Sequence, residues 1–138
     1  MGTGVLAEVL RYVRVLAAPE ESDLDDGELL RRFVERRDEE AFAALLGRHG
    51  PLVLGVCRRI LGDEQDAEDA FQATFLVLAR KAVSIRQRES LAAWLHRVAL
   101  NISQTARIGI ARRKTHEKQA ALLTQPSGPE DLVRRDWL

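Results

Sequence analysis

Apolar residues recur every three to four positions along most of the chain, and strict alternation is nearly absent. The first spacing belongs to helices with one buried face, the second to half-buried strands. The chain therefore reads as all-α. Val5, Leu6, Val9, Leu10, Val13 and Leu16 share a face, which predicts a first helix over residues 5–17, ended by Pro19 and the acidic run EESDLDD. Asp25 or Asp26 can cap a second helix that turns Leu29, Leu30, Phe33 and Val34 inward. Asp38 can cap a third, with Phe42, Leu45 and Leu46 as its buried face. His49-Gly50-Pro51 reads as a break. A fourth helix is expected to open at Pro51, whose missing N–H does no harm in a first turn, and to run through Val53, Val56 and Ile60.

Gly62 stops that helix and Asp63 caps the next, GDEQDAEDAFQATFLVLARKA. Acids crowd its first turns while Arg80 and Lys81 close it, as the helix dipole favours. Phe71, Phe75 and Leu78 are expected to face the core, with Leu76 beside them. VSIRQRES reads as a connecting loop, and Ser90 caps a last helix that continues to about residue 121. In that helix Leu91, Leu95, Val98, Ile102 and Ala106 fall on one stripe, the expected buried face. TQPSGPED is a linker composition, and DLVRRDWL opens a further segment. The organisation expected is an N-terminal helical extension over 1–24, a helical domain over 25–121 and a linker over 122–138.

A length of 138 residues suits one domain of ordinary size. Cys57 is the one cysteine, which excludes an internal disulfide and suits a small core residue. No apolar run approaches the roughly 18 residues of a membrane span. Glu8, Arg11 and Arg14 interrupt the N-terminal stretch, which lacks a signal-peptide core. A cytoplasmic protein without a membrane partner is expected. Formal charge is zero, but its distribution is uneven. Residues 1–70 carry 9 Lys and Arg against 16 Asp and Glu; residues 71–138 carry 12 against 5. The halves are thus −7 and +7, and the basic half invites an anionic partner.

The basic charge is concentrated. Between Arg80 and Lys118 there are ten basic residues and two acids, Glu89 and Glu117. On the last helix Arg97, Asn101 and Gln104 lie together opposite the buried stripe, with Trp94 at their edge and Arg112, Arg113 and Lys114 beyond. Arg86 and Arg88 precede it. An indole can stack a base for about 1–3 kcal/mol, amides can read base edges, and guanidinium groups can hold phosphates. These are the parts a single nucleic-acid strand needs. The competing reading packs Trp94 into the edge of the core and leaves the stripe merely solvated. Four or five phosphate contacts, each adding roughly 0.7–0.9 to the salt slope, bind weakly alone, so a larger partner is expected to supply most of the affinity. An enzyme is not expected. His49, His96 and His116 sit in separate elements without metal-ligand spacing, and the acids over 63–69 lack the alternation of a calcium loop. No cofactor is implied.

DAEDAFQATFLVLARKA, followed by LAAWLHRVALN, resembles the extracytoplasmic-function (ECF) type of bacterial RNA polymerase sigma factor, in the helical promoter-melting domain called region 2. The resemblance spans roughly residues 26–118. It implies a compact helical bundle of the sigma region 2 type, to which the N-terminal helix and C-terminal linker are additions. It implies that Asp66, Asp69 and Gln72 contact the clamp helices of the polymerase beta-prime subunit. Ala73 stands where relatives often carry Glu. The SIRQRES segment corresponds to a loop that captures a base flipped from the non-template strand of the −10 promoter element. Lys81, Ile85 and Asn101 fall at pocket positions, and Trp94 at the motif's aromatic. Lys81 is larger than that position suggests, so base preference does not transfer. An anti-sigma protein is a further partner the resemblance allows. The family's region 4 domain does not follow, so the chain is expected to be a fragment or a truncated product. Two other readings stay open: a module that binds polymerase or an anti-sigma protein without melting DNA, and a helical domain that binds nucleic acid without sequence preference.

Overall fold

The computed structural model describes residues 5, 6, 8–11, 23–85 and 90–123. Four helices carry the fold: α1 (Asp26–Arg36), α2 (Glu39–Leu61), α3 (Glu64–Lys81) and α4 (Leu91–Leu122), with a 3-10 turn at Ala82–Ser84. No strand occurs among the described residues. Each N-terminus is fixed by a side chain that accepts an otherwise unbonded N–H. Asp25 accepts from Glu28 at 2.7 Å, Asp38 from Glu40 and Ala41, Asp63 from Asp66 at 3.0 Å, and Ser90 from Ala93 at 3.0 Å. Gly62 ends α2 in the left-handed region, φ 75°, and its N–H returns to Arg58 O at 2.9 Å. Arg37 ends α1 in the same conformation, φ 52°, at a cost a glycine would avoid.

α2 is the centre, packed against α1, α3 and α4. The two helices expected either side of His49-Gly50-Pro51 are one helix with Pro51 inside it. Proline forfeits one backbone bond and crowds the preceding turn. Here Ala41, Ala44 and Leu45 before it and Val53, Val56 and Cys57 after it are all buried in the same core. Burial on both sides of the proline outweighs one lost bond. Gly50 has a packing role as well. A Cβ there would sit 2.5 Å from Leu10 Cδ2, so the missing side chain makes the notch that Leu10 fills. Residues 5, 6 and 8–11 are helical, and Leu10 is buried. Residues 12–17 of the expected first helix, and 124–138 of the expected linker, lie outside the described residues.

All four phenylalanines of the sequence meet in one chain of rings. Phe33 of α1 lies 4.8 Å from Phe42 of α2, Phe42 lies 6.4 Å from Phe75 of α3 edge to face, and Phe75 lies 4.9 Å from Phe71. Such pairs add about 0.5–1.5 kcal/mol beyond area burial. Leu76, expected beside the core, points outward at 57% exposure. The neighbours Phe75 and Leu78 already fill the inward arc of α3. α4 buries Leu91, Leu95, Ala99 and Ser103, an i, i+4 seam, while Val98, Ile102 and Ala106 are half-buried. The seam is rotated from the expected stripe because its centre is set by small residues, which permit close approach, and the larger ones flank it. Cys57 is buried, as its core setting predicts, and burial pushes its thiol above the ordinary value.

Leu95 is fully buried where α4 enters the core. Leu95→Ala should cost about 2–5 kcal/mol, read as a lower denaturant midpoint at unchanged slope.

Candidate nucleic-acid interface

α4 presents the expected polar stripe. Arg97, Asn101 and Gln104, spaced i, i+4 and i+7, are all exposed. Ser90 caps the helix that carries them and Leu91, Leu95 and Ala99 anchor its other side, so the stripe is held on a rigid element. Trp94 sits between the two readings of the sequence: it is half-buried and packed against the core. Arg112, Arg113 and Lys114 are exposed further along. Lys81, at the end of α3, is exposed, and Ile85 is half-buried against the core. Arg86 and Arg88 lie outside the described residues.

A groove of about 510 Å³ opens beside the 3-10 turn. Ile85 and Leu91 line it with Leu30 and Val34 of α1, while Asp25 and Arg31 stand among its polar groups. Ile85 therefore meets a cavity, but Lys81 and Asn101 are not among its lining residues. The participation of α1 was not visible in the sequence, since it depends on how α1 packs against the turn. On the outer face of α1, Arg31 joins Glu28 at 2.6 Å and Glu35 at 2.9 Å, and the Arg31 hydrogen bond holds the Glu28 carboxyl below its ordinary value. Behind it Arg48 Nη1 lies 2.9 Å from Asp26 Oδ1. His49 Nε2 also comes within 2.9 Å of that oxygen, but without hydrogen-bond alignment, and it has no aligned partner among the described residues.

The acidic start of α3 is equally well fixed. Arg58 grips Glu64 with two bonds, Nε to Oε2 at 3.0 Å and Nη2 to Oε1 at 2.6 Å, across the Gly62 turn. That hydrogen bonding holds the Glu64 carboxyl below its ordinary value. Gln65 donates to Asp69 Oδ1 at 3.1 Å. Asp69 and Gln72 are exposed and Asp66 half-buried. α3 and α4 run side by side, which creates a second groove of about 500 Å³. Asp66 and Asp69 line it from α3; Ile102, Ile108, Arg112 and Arg113 line it from α4. The acidic and basic ends that look separate in the sequence thus face the same space. Gln72 is not among the residues that line it. Among the described residues no group of three or more His, Cys, Asp or Glu could hold a metal ion, and no helix is long and apolar enough to cross a membrane.

The Glu64 carboxyl is more acidic folded than unfolded, so its contribution is present above the ordinary value of 4.5 and fades as pH falls through the lower folded value. Glu64→Gln should lower the melting temperature slightly at neutral pH, and the difference from the unsubstituted chain should vanish on acidification below that range. A difference independent of pH would assign the effect to packing.

The sequence model of the Sigma-70 region 2 family matches residues 45–115. The chain is 31% identical over 88 residues to the RNA polymerase sigma-H factor of Pseudomonas aeruginosa, covering 64% of this chain and 45% of that protein. It is 35% identical over 107 residues to the ECF RNA polymerase sigma factor SigG of Mycobacterium tuberculosis, covering 75% of this chain and 28% of that protein. The chain therefore spans less than half the length of these curated relatives. No solved structure gives a significant match.

Proposed function

The chain belongs to the Sigma-70 region 2 family, and from that premise we propose that it acts in transcription initiation as an ECF-type sigma factor, binding RNA polymerase core and capturing the melted −10 strand of a promoter. The observation that carries this reading is the stripe of α4: Arg97, Asn101 and Gln104 exposed in a row with Trp94 at its edge, on a helix whose other face is locked in the core. A side chain that reads an unpaired base must be both accessible and held still. Asn101 can bond a base edge, Arg97 a phosphate, and the exposed part of Trp94 can take a stacked ring. In this reading Lys81, Ile85, Arg86 and Arg88 belong to the segment that receives a flipped base, as the family resemblance implies. Flipping costs a few kcal/mol, which stacking and the partner's hold on the strand can offset.

Docking falls to the acidic start of α3. Asp66 and Asp69 present carboxylates and Gln72 an amide, chemistry that suits a basic surface on the polymerase clamp helices of the beta-prime subunit. The dipole of α3 also favours acids there, and the two roles are compatible. An anti-sigma protein that covers either surface would silence the factor. The protein acts in the cytoplasm, with no catalytic chemistry of its own. The reading in which the chain only docks, without reading DNA, is kept apart by the fate of the α4 stripe in the experiment below.

With core polymerase and a cognate promoter, Asn101→Ala should reduce open-complex formation at least tenfold while the affinity for core stays within twofold. Trp94→Ala should do the same with some loss of stability, because its ring is partly built into the core. Unchanged transcription from both variants would defeat the strand-capture role and leave the docking module as the function.

A further inference from the structure

The N-terminal helix (residues 5, 6 and 8–11) lies outside the stretch that the family model matches and lines neither groove, yet it is seated in the domain. Leu10 is 4% exposed, and Leu6, one turn before it, packs half-buried against the same core. Glu8 and Arg11 are exposed, so the attachment is apolar. Leu10 stands over Gly50: its Cδ2, Cδ1 and Cγ lie 2.5, 3.2 and 3.4 Å from where a Cβ would be. At Gly55, further along α2, a Cβ would meet nothing within 4 Å. Of these two glycines, only Gly50 is required by a neighbour. The seat falls at the weakest place in α2. Glycine has low helix propensity, and Pro51 removes a backbone bond and crowds the preceding turn. Asp26 of α1 reaches the same turn, where its Oδ1 lies 2.9 Å from Arg48 Nη1. The turn most prone to bend is held from two other elements.

We infer that Leu10 and Gly50 are positioning residues: the N-terminal helix is a latch that keeps α2 continuous across Pro51, and through α2 it fixes the direction of the α4 stripe. α2 carries buried side chains on both sides of the proline, Leu45 before it and Val53, Val56 and Cys57 after it, and α4 packs against this helix. A bend at Pro51 turns those two sets relative to each other, and α4 cannot keep its seat on both. Arg97, Asn101 and Gln104 then change direction although no residue of α4 has changed. The latch can also be opened selectively. An alanine at position 50 strikes the side chain of Leu10, on a separate helix, and not the backbone of the core. Leu10 is enclosed by its neighbours, so the clash is relieved by unseating the N-terminal helix. The role in strand capture rests on the reading proposed above; the latch itself does not.

The test uses the 138-residue chain at a temperature where circular dichroism shows every variant folded. Gly50→Ala, Leu10→Ala, the two combined and Leu10→Met are compared. Gly55→Ala is the control for helix propensity and Asn101→Ala the control for strand capture. Two quantities are read. One is the rate of tryptic cleavage after Arg11. The other is the preference for a single-stranded oligonucleotide, selected from a randomised pool on the unsubstituted chain, over its scrambled form. Gly50→Ala and Leu10→Ala should each speed cleavage tenfold or more and lower the preference at least fivefold. Gly55→Ala and the volume-conserving Leu10→Met should stay within twofold on both. Without Leu10 the new methyl group has nothing to strike, so the combined variant should be no worse than Leu10→Ala. The inference is overturned if Gly50→Ala behaves like Gly55→Ala, since the notch is then no seat. It is also overturned if both single variants speed cleavage yet keep the preference that Asn101→Ala loses; the helix would then be docked without positioning anything. If Asn101→Ala keeps the preference too, the strand-capture reading fails and takes the positioning role with it, while the cleavage rates still report the latch.

Discussion

The close approach of α4 to α2 is the constraint on which the other positions depend. Leu91, Leu95, Ala99 and Ser103 are buried on α4, and Leu45, Val53, Val56 and Cys57 on α2, in one core. Alternating bulk with small side chains lets two helices interlock at interior density, and the rotation of each about its axis is thereby set. Once α4 has that rotation, Arg97, Asn101 and Gln104 have nowhere to point but solvent, and Trp94 is left at the rim. The electrostatic features follow from packing and would not survive a shift of the seam by one residue.

Local chemistry was the most legible part of the sequence. Asp25, Asp38, Asp63 and Ser90 each cap a helix, because a cap is decided within four residues of chain. Gly62 is equally plain, since few residues besides glycine take a φ of 75°. What misled was local evidence answered from a distance. Pro51 signals a break, but it lies in the helix that every other helix packs against, and burial on either side keeps the helix whole. Leu76 is apolar at an arc already filled. Ala99 and Ser103 carry little hydrophobic signal, so the stripe drawn through Val98 and Ile102 missed the centre of the seam.

The candidate site divides in the same way. The α4 stripe was readable because it lies on one helix with one period. The shared groove was not, because Asp66 and Arg112 are far apart in sequence and meet only through the packing of α3 against α4. Charge counted along the chain gave two opposite halves and suggested two separate surfaces. Folding lays part of one half against part of the other. The useful quantity is the charge around a particular cavity, which needs the fold.

α4 has one more property with a mechanical meaning. Its last fully buried residue is Ser103, and the helix continues to Leu122. At about 1.5 Å per residue the stretch after Ser103 is roughly 28 Å long. A rod fixed near one end acts as a lever: a tilt of about 10° at the base carries the tip by some 5 Å. A small change of tilt at the base of this rod would therefore displace Leu123 far more than it displaces Ser103.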